Sequence, residues 1–249
     1  MEEYVEYYIA FLDILGFKDI INKKSFNEVN KIFDNLLIIK QDIMNSSSIF
    51  NEFLNERGLG NLFDNIVLNI MSDSIIIAIP ARHMNSLAFV TEYCRRVQAS
   101  FIKDGILIRG AITKGEFYSK NEIMFGKGLI EAYLLQENEA IYPRIIMTKK
   151  LAYDYIERVG THTTVYIQDF LVNDSDDYLF VNYLFYENID YEKLACYIKD
   201  RLDSETNGRV RQKYLWLKNY FNGAIENPVK YKNPNINPLL KIINEILDT

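Results

Sequence analysis

Two aspartates interrupt apolar runs in this chain. Asp13 closes the strand-like part of YIAFLDILGF, residues 8 to 17, and Asp73 breaks NIVLNIMSDSIIIAIP, residues 65 to 80. A carboxylate among apolar neighbours carries a desolvation penalty unless a cation meets it. Two carboxylates about 4 Å apart also repel, by roughly 4 kcal/mol at an effective dielectric near 20. A protein keeps such a pair when one acid is protonated or a cation lies between them. Oxygen ligands suit Mg²⁺ or Mn²⁺, with phosphate oxygens completing the shell. Two such ions activate an attacking oxygen and neutralise leaving phosphates. Each aspartate alone also reads as an ordinary turn residue, so the elements that carry them decide whether they form a pair.

Residues 4 to 13 read as a buried strand. A helix follows from about Ser25, where Ser25 and Glu28 have capping-box spacing and Val29, Ile32, Phe33, Leu36, Leu37 and Ile43 recur at helical spacing. Residues 45 to 63 are polar, with Gly58 and Gly60, and are expected to form a loop. Residues 65 to 72 and 74 to 80 are the arms of a hairpin whose turn carries Asp73, and Pro80 ends it. A helix from about Asn85 to Lys103 stops at Gly105. Residues 106 to 113 and 115 to 119 read as a strand pair, 127 to 138 as a helix and 141 to 147 as a strand. Thr148 can cap a helix ending near Gly160.

Strand, helix, two strands, helix, strand is the split βαβ, ferredoxin-like order of an α+β domain. Its right-handed crossover makes the first two strands parallel, with the third antiparallel between them. The end of the first strand then lies beside the turn joining the second and third, so Asp13 and Asp73 are expected to converge. Beyond the core domain, residues 1–160, the chain continues as an α/β extension, residues 161–249. Strands are expected there at 163 to 168 and 178 to 185, with helices near 191 to 203, 209 to 222 and 238 to 247. The extension is expected to pack on the core or on a partner subunit.

Composition narrows the function. The chain has 249 residues, 49% of them hydrophobic, enough for a sizeable core without staples. A net charge of -6 argues against sequence-independent nucleic-acid binding. Two cysteines, Cys94 and Cys196, and two histidines, His83 and His162, do not supply a disulfide framework or a zinc site. No basic leader and no apolar run of about 18 residues is evident, so a cytoplasmic protein without membrane contact is expected.

Four motifs, in order, carry a resemblance that covers roughly residues 5 to 150. FLDILGF resembles the first metal motif of the class III nucleotidyl cyclases, and SDSIIIA their second metal-aspartate hairpin. ILIRGAITKGE resembles the following strand pair with its glycine turn, and FGKGLIEAYLLQ the helix that faces the nucleotide. The resemblance implies a cyclase homology domain in which Asp13, the carbonyl of Ile14, and Asp73 hold two divalent metal ions, Mn²⁺ or Mg²⁺. It also implies that the amides of Leu15, Gly16 and Phe17 cradle phosphates at a helix start.

The departures are informative. Purine cyclases read the base with a Lys four residues before the second aspartate; here that position is Asn69, whose amide both donates and accepts and suits a pyrimidine edge. A strand Asn satisfied by backbone is the other reading. The family's transition-state Asn and Arg are replaced by Ile130 and Leu134, so a catalytic cation must come from elsewhere, Arg144 first and Arg109 second. Tyr133 is a candidate for stacking on a base, or for the core.

The combination is most similar to the pyrimidine cyclases of bacterial Pycsar antiphage systems. That likeness implies a homodimer with composite active sites. It also implies a nucleoside triphosphate substrate, UTP ahead of CTP, converted to the 3′,5′-cyclic mononucleotide and pyrophosphate. The product would be a second messenger in antiphage defence, read by a separately encoded effector. The alternative is a non-catalytic nucleotide-sensing domain of the same fold. A cyclic dinucleotide synthase is disfavoured because the chain has no GGDEF-type hairpin.

Overall fold

The computed structural model describes residues 5–55, 65–121, 123–160, 167, 170–184 and 189–227. Its centre is β1 (Val5–Ile14), which alternates cleanly. Tyr7 and Ile9 are buried on one face, and Tyr8, Ala10, Leu12 and Ile14 on the other. Gly16 takes φ 75, a left-handed conformation that glycine adopts without strain, and turns the chain into α1 (Phe17–Lys23). The Ser25 capping box forms: Ser25 N–H donates to Glu28 Oε2 at 2.8 Å, opening α2 (Phe26–Asn55). A hairpin of β2 (Val67–Met71) and β3 (Ser74–Pro80) follows, then α3 (Ser86–Ile102), β4 (Ile108–Lys120), β5 (Ile123–Phe125), α4 (Lys127–Glu139), β6 (Ile145–Thr148) and α5 (Lys149–Val159). The last described elements are β7 (Leu171–Asn173), β8 (Tyr178–Val181), α6 (Tyr191–Ser204) and α7 (Gly208–Glu226).

The strand order is β2-β3-β1-β4-β6-β8-β7, with β5 paired to the far end of β4. β3 lies between β1 and β2 and is antiparallel to both, and β4 flanks β1 on its other side. The first four strands therefore have the ferredoxin-like arrangement, and the molecule is α+β. On the even-residue face of β1, one core joins α2, α3 and α5 through Leu36, Val90, Val97 and Tyr155. On the opposite face, Ile9, Ile76 and Ala78 meet Ala132 of α4, while Ile146 and Phe180 meet Leu217 and Phe221 of α7. Because β7 and β8 continue the sheet beyond β6, the expected boundary at residue 160 falls within one continuous sheet.

Several expectations change in detail. Residues 45 to 55 continue α2 instead of forming a loop. Ile32, Leu36 and Ile43 anchor the helix. Once nucleated, a helix extends through polar residues at little further cost, and Gln41 bridges a turn to Asn45 at 2.9 Å. The remainder of that expected loop, residues 56 to 63, lies outside the described residues, as do the expected helix at 238 to 247 and, except for residue 167, the expected strand at 163 to 168. β6 begins at Ile145, not 141, since Pro143 has no amide for a ladder.

The expected strand pair at 106 to 119 is one strand, because the chain runs straight through Gly115. That glycine serves close packing instead of a turn. A Cβ on Gly115 would lie 2.7 Å from the Cα of Gly128 in α4, and one on Gly128 would lie 2.9 Å from the Cα of Gly115. Thr113 Oγ1 also donates to the Gly128 carbonyl at 2.9 Å, seating the helix directly on β4. Gly115→Ala is expected to cost about 1–3 kcal/mol, since backbone meets backbone and no rotamer change relieves the overlap. Urea titration should show a lower midpoint at unchanged slope; an unchanged midpoint would mean the seat can widen freely.

Candidate active site

Directly opposed residues in antiparallel strands share a face, so the ladder register builds the site. One row runs Met71, Ser74, Asp13, Arg109 across β2, β3, β1 and β4. The next row inward on the same face is Asn69, Ile76, Phe11, Ala111. The two-residue turn Ser72-Asp73 closes the hairpin, with Ser72 at φ 58. Its Asp73 carbonyl accepts from the Ile14 N–H at 2.9 Å. Asp13 and Asp73 thus stand at one corner of the sheet, one paired across to the residue that follows the other.

Asp13 meets a cation. Arg109 Nε donates to Asp13 Oδ2 at 2.7 Å, and the two side chains are 18% and 19% exposed. Arg109 Nη2 also reaches Glu137 Oε2 of α4 at 3.1 Å. With its amide oxygen turned toward the guanidinium, Gln136 accepts from Nε at 2.9 Å and Nη2 at 3.0 Å. Gly128, Ala132 and Gln136 form the buried stripe of α4. In the sequence Gln136 is marked only as a polar residue ending the four-residue repeat of small ones, Gly128 and Ala132.

Arg144 has another fate. Its guanidinium, 1% exposed, is clamped by Asp174 and Asp176, with Nη1 also 3.0 Å from Asp176 Oδ1. Tyr142 and Trp216 flank it at 5.5 and 5.8 Å from their ring centroids, and Trp216 Nε1 donates to Asp174 Oδ2 at 3.2 Å. The hydrogen bond from Arg144 holds the Asp176 carboxyl below the ordinary carboxylate range. Both terminal nitrogens of this buried guanidinium are engaged by Asp174 and Asp176, and its buried Nε is without a hydrogen-bond partner among the described residues, so the structure gives Arg144 an ion-pair role outside the Asp13 corner. Of the three amides expected to meet phosphates, that of Leu15 is engaged within the fold, donating to the Leu107 carbonyl at 2.9 Å. Gly16 and Phe17 remain at the head of α1. Asn69 is half-buried two strands from Asp13, and Tyr133, 47% exposed on α4, packs edge-on against Phe11 with centroids 5.5 Å apart.

A further cation near this corner comes from the C-terminal helix, where local sequence does not mark it. Lys213 of α7 is half-buried within electrostatic reach of Arg109 and Asp13. Burial first, then Arg109, pushes its ammonium below the usual lysine range, and Asp13 opposes that shift. The apolar stripe of α7 is Val210, Tyr214, Leu217 and Phe221, and Lys213 sits one residue off it. Among the described residues there is no group of three or more His, Cys, Asp or Glu placed to hold a metal. No described helix is long and apolar enough to cross a membrane.

The chain matches no protein-family model and no curated protein. It is similar to the solved structure of the adenylyl cyclase CyaB from P. aeruginosa, with 13% identity over 64% of this chain and 84% of that one, at a TM-score of 0.37. It is similar to a bacterial light-regulated adenylyl cyclase, with 13% identity over 80% and 99% of the two chains and a TM-score of 0.43. A third is the monomeric guanylyl cyclase domain of the RhoGC fusion protein from the aquatic fungus Blastocladiella emersonii, with 14% identity, 72% and 96% coverage and a TM-score of 0.42.

Proposed function

We propose that this chain is a nucleotidyl cyclase acting on a pyrimidine nucleoside triphosphate, UTP ahead of CTP. Its ribose O3′ attacks the α-phosphate, yielding the 3′,5′-cyclic mononucleotide and pyrophosphate. The observation that carries the reading is the 2.9 Å tie from the Ile14 amide to the Asp73 carbonyl, which holds two acids from distant segments at one sheet corner. The donor set is all oxygen, two carboxylates and nearby main-chain carbonyls, which fits hard divalent ions. Asp13, the Ile14 carbonyl and Asp73 would hold two of them, Mn²⁺ or Mg²⁺. When bound, they supply a lowered hydroxyl pKa and charge neutralisation for the phosphates.

The remaining roles fall to the chain's own groups. Arg109 is assigned to the charge that develops on the transferring phosphoryl, since Glu137 and Gln136 orient its fork independently of Asp13. Gly16 and Phe17 offer amides to the phosphates. Asn69 lies about 12 Å from Asp13, from two strand spacings and a two-residue rise, a span that suits a base with its triphosphate at the corner. A base laid over Ile76 and Phe11 would meet Asn69 on one side and Tyr133 on the other. Met71 (71% exposed), which ends β2 in the row of Asp13, and Ile130 (59%), Tyr133 and Leu134 of α4 are exposed apolar side chains. Two copies meeting there would complete each other's cleft, and sedimentation velocity should return the dimer mass. The sequence resemblance extends the proposal to a cytoplasmic messenger role in antiphage defence, with the product read by a separately encoded effector.

A second reading, a nucleotide sensor without turnover, is favoured by the Arg109–Asp13 ion pair, which already neutralises one of the two acids. Incubating the protein with four labelled nucleoside triphosphates and Mn²⁺, and weighing the products, separates the readings. Cyclic UMP is expected. Bound nucleotide without product favours the sensor, a cyclic purine nucleotide removes the role of Asn69, and a linked dinucleotide overturns the reaction class.

A further inference from the structure

A cleft of about 500 Å³ opens beside the Asp13 corner. Its lining includes the Leu15-Gly16 turn, Lys23 of α1, Leu107, and Lys213 and Tyr214 of α7, and it reaches the Asp13 corner through Leu15, two residues beyond Asp13. The turn that leaves the Asp13 strand and the helix of the C-terminal segment therefore face each other across a single space. From this geometry we infer that Lys213 contacts the polyphosphate of the substrate, so that the C-terminal segment supplies a binding residue to the site. The inference rests on the cyclase reading for the identity of the polyphosphate, but not for the existence of the anion site.

Charge supports the assignment. Among the described residues, no carboxylate lies within ion-pair distance of Lys213 Nζ. Asp13, the acid that acts on it, is already bonded to Arg109. A half-buried ammonium near a second cation, without its own counter-ion, is destabilised until an anion arrives. Of the other charges lining the cleft, Lys23 is paired with Asp19 at 3.1 Å and Arg201 with Glu205 at 3.4 Å, while Lys24 and Asp104 are exposed to solvent, so Lys213 is the half-buried cation of the set without an ion pair among the described residues. Tyr214, next in sequence, is fixed by hydrogen bonds with Tyr197 and from Arg201 Nε at 3.0 and 3.1 Å, so α7 presents Lys213 from a braced position. A compact ammonium with three donors matches the spread oxygens of a di- or triphosphate better than a single carboxylate.

The test compares wild type with Lys213→Met and Lys213→Arg in Mg²⁺ buffer. Inorganic tripolyphosphate is titrated by calorimetry, and steady-state cyclisation is measured in parallel. Lys213→Met is expected to weaken tripolyphosphate binding and raise KM about tenfold or more, with kcat changed less, and Lys213→Arg to recover most of the loss. Circular dichroism checks the fold of each, and Lys213→Gln serves if the Met variant fails to fold. Unchanged tripolyphosphate affinity in a folded variant overturns the inference, even while cyclisation continues. Wild type that binds tripolyphosphate through Lys213 but makes no cyclic product keeps the anion site and overturns the cyclase reading instead.

Discussion

Asp73→Asn is expected to abolish cyclic product, by about a thousandfold or more in kcat, in a protein whose stability is nearly unchanged. The asymmetry follows from what the residue contributes to the fold. Its structural tie is the main-chain carbonyl that accepts from Ile14, and asparagine keeps that carbonyl. Among the described residues its carboxylate makes no ion pair, so removing the charge leaves no partner stranded. The substitution therefore removes a ligand charge and little else. Asp13→Asn is a less clean companion, since it also unpairs Arg109, although Glu137 and Gln136 retain the guanidinium. Measured turnover within about tenfold of wild type in folded Asp73→Asn, at saturating Mn²⁺, would remove the two-ion site and with it the cyclase reading.

Arg144→Leu should do the reverse, destabilising the fold while sparing the chemistry. It strips the shared cation from Asp174 and Asp176, leaving partly buried carboxylates unpaired. Breaking such a group by removing one member costs about 3–5 kcal/mol. In a chain of this size that lowers Tm by roughly 6–20 °C. The pH dependence has a definite sign. Asp176 is held below the ordinary carboxylate range in the folded state by its bond to Arg144. Its contribution is therefore fully present above the unfolded value near 3.9 and lost as pH falls through the lower, folded value. Denaturation at pH 7 and pH 3 should show the gap between wild type and variant narrowing at the acidic end. Product formed per folded molecule should stay close to wild type. A variant of native stability with no turnover would return Arg144 to the chemistry and displace Arg109.

These two residues mark the division between what could be read early and what could not. Asp13 and Asp73 stand out as charges in apolar runs, and the handedness of strand crossovers places the ends of the first strand and of the hairpin together. That reasoning uses only local periodicity and a topological rule, so the ferredoxin-like order and the Thr148 and Ser25 caps were legible in the residues themselves. Gly115 was legible as an exception but not as a cause. A glycine signals a turn or a close approach equally well, and only the neighbour, Gly128, distinguishes them.

The linear chain determined the order of the first four strands and brought the end of the first strand beside the hairpin turn, because backbone pairing and alternating burial are properties of short segments, whereas the continuation of the sheet through β6, β8 and β7 was decided by the tertiary structure. The tertiary structure alone decided which cation serves which acid. Arg144 found its carboxylates 30 and 32 residues away, Arg109 found one on the neighbouring strand and another on α4, and Lys213 arrived from the last described helix. Long side chains choose partners by distance and burial after the elements have packed, and no spacing rule along the sequence encodes that choice.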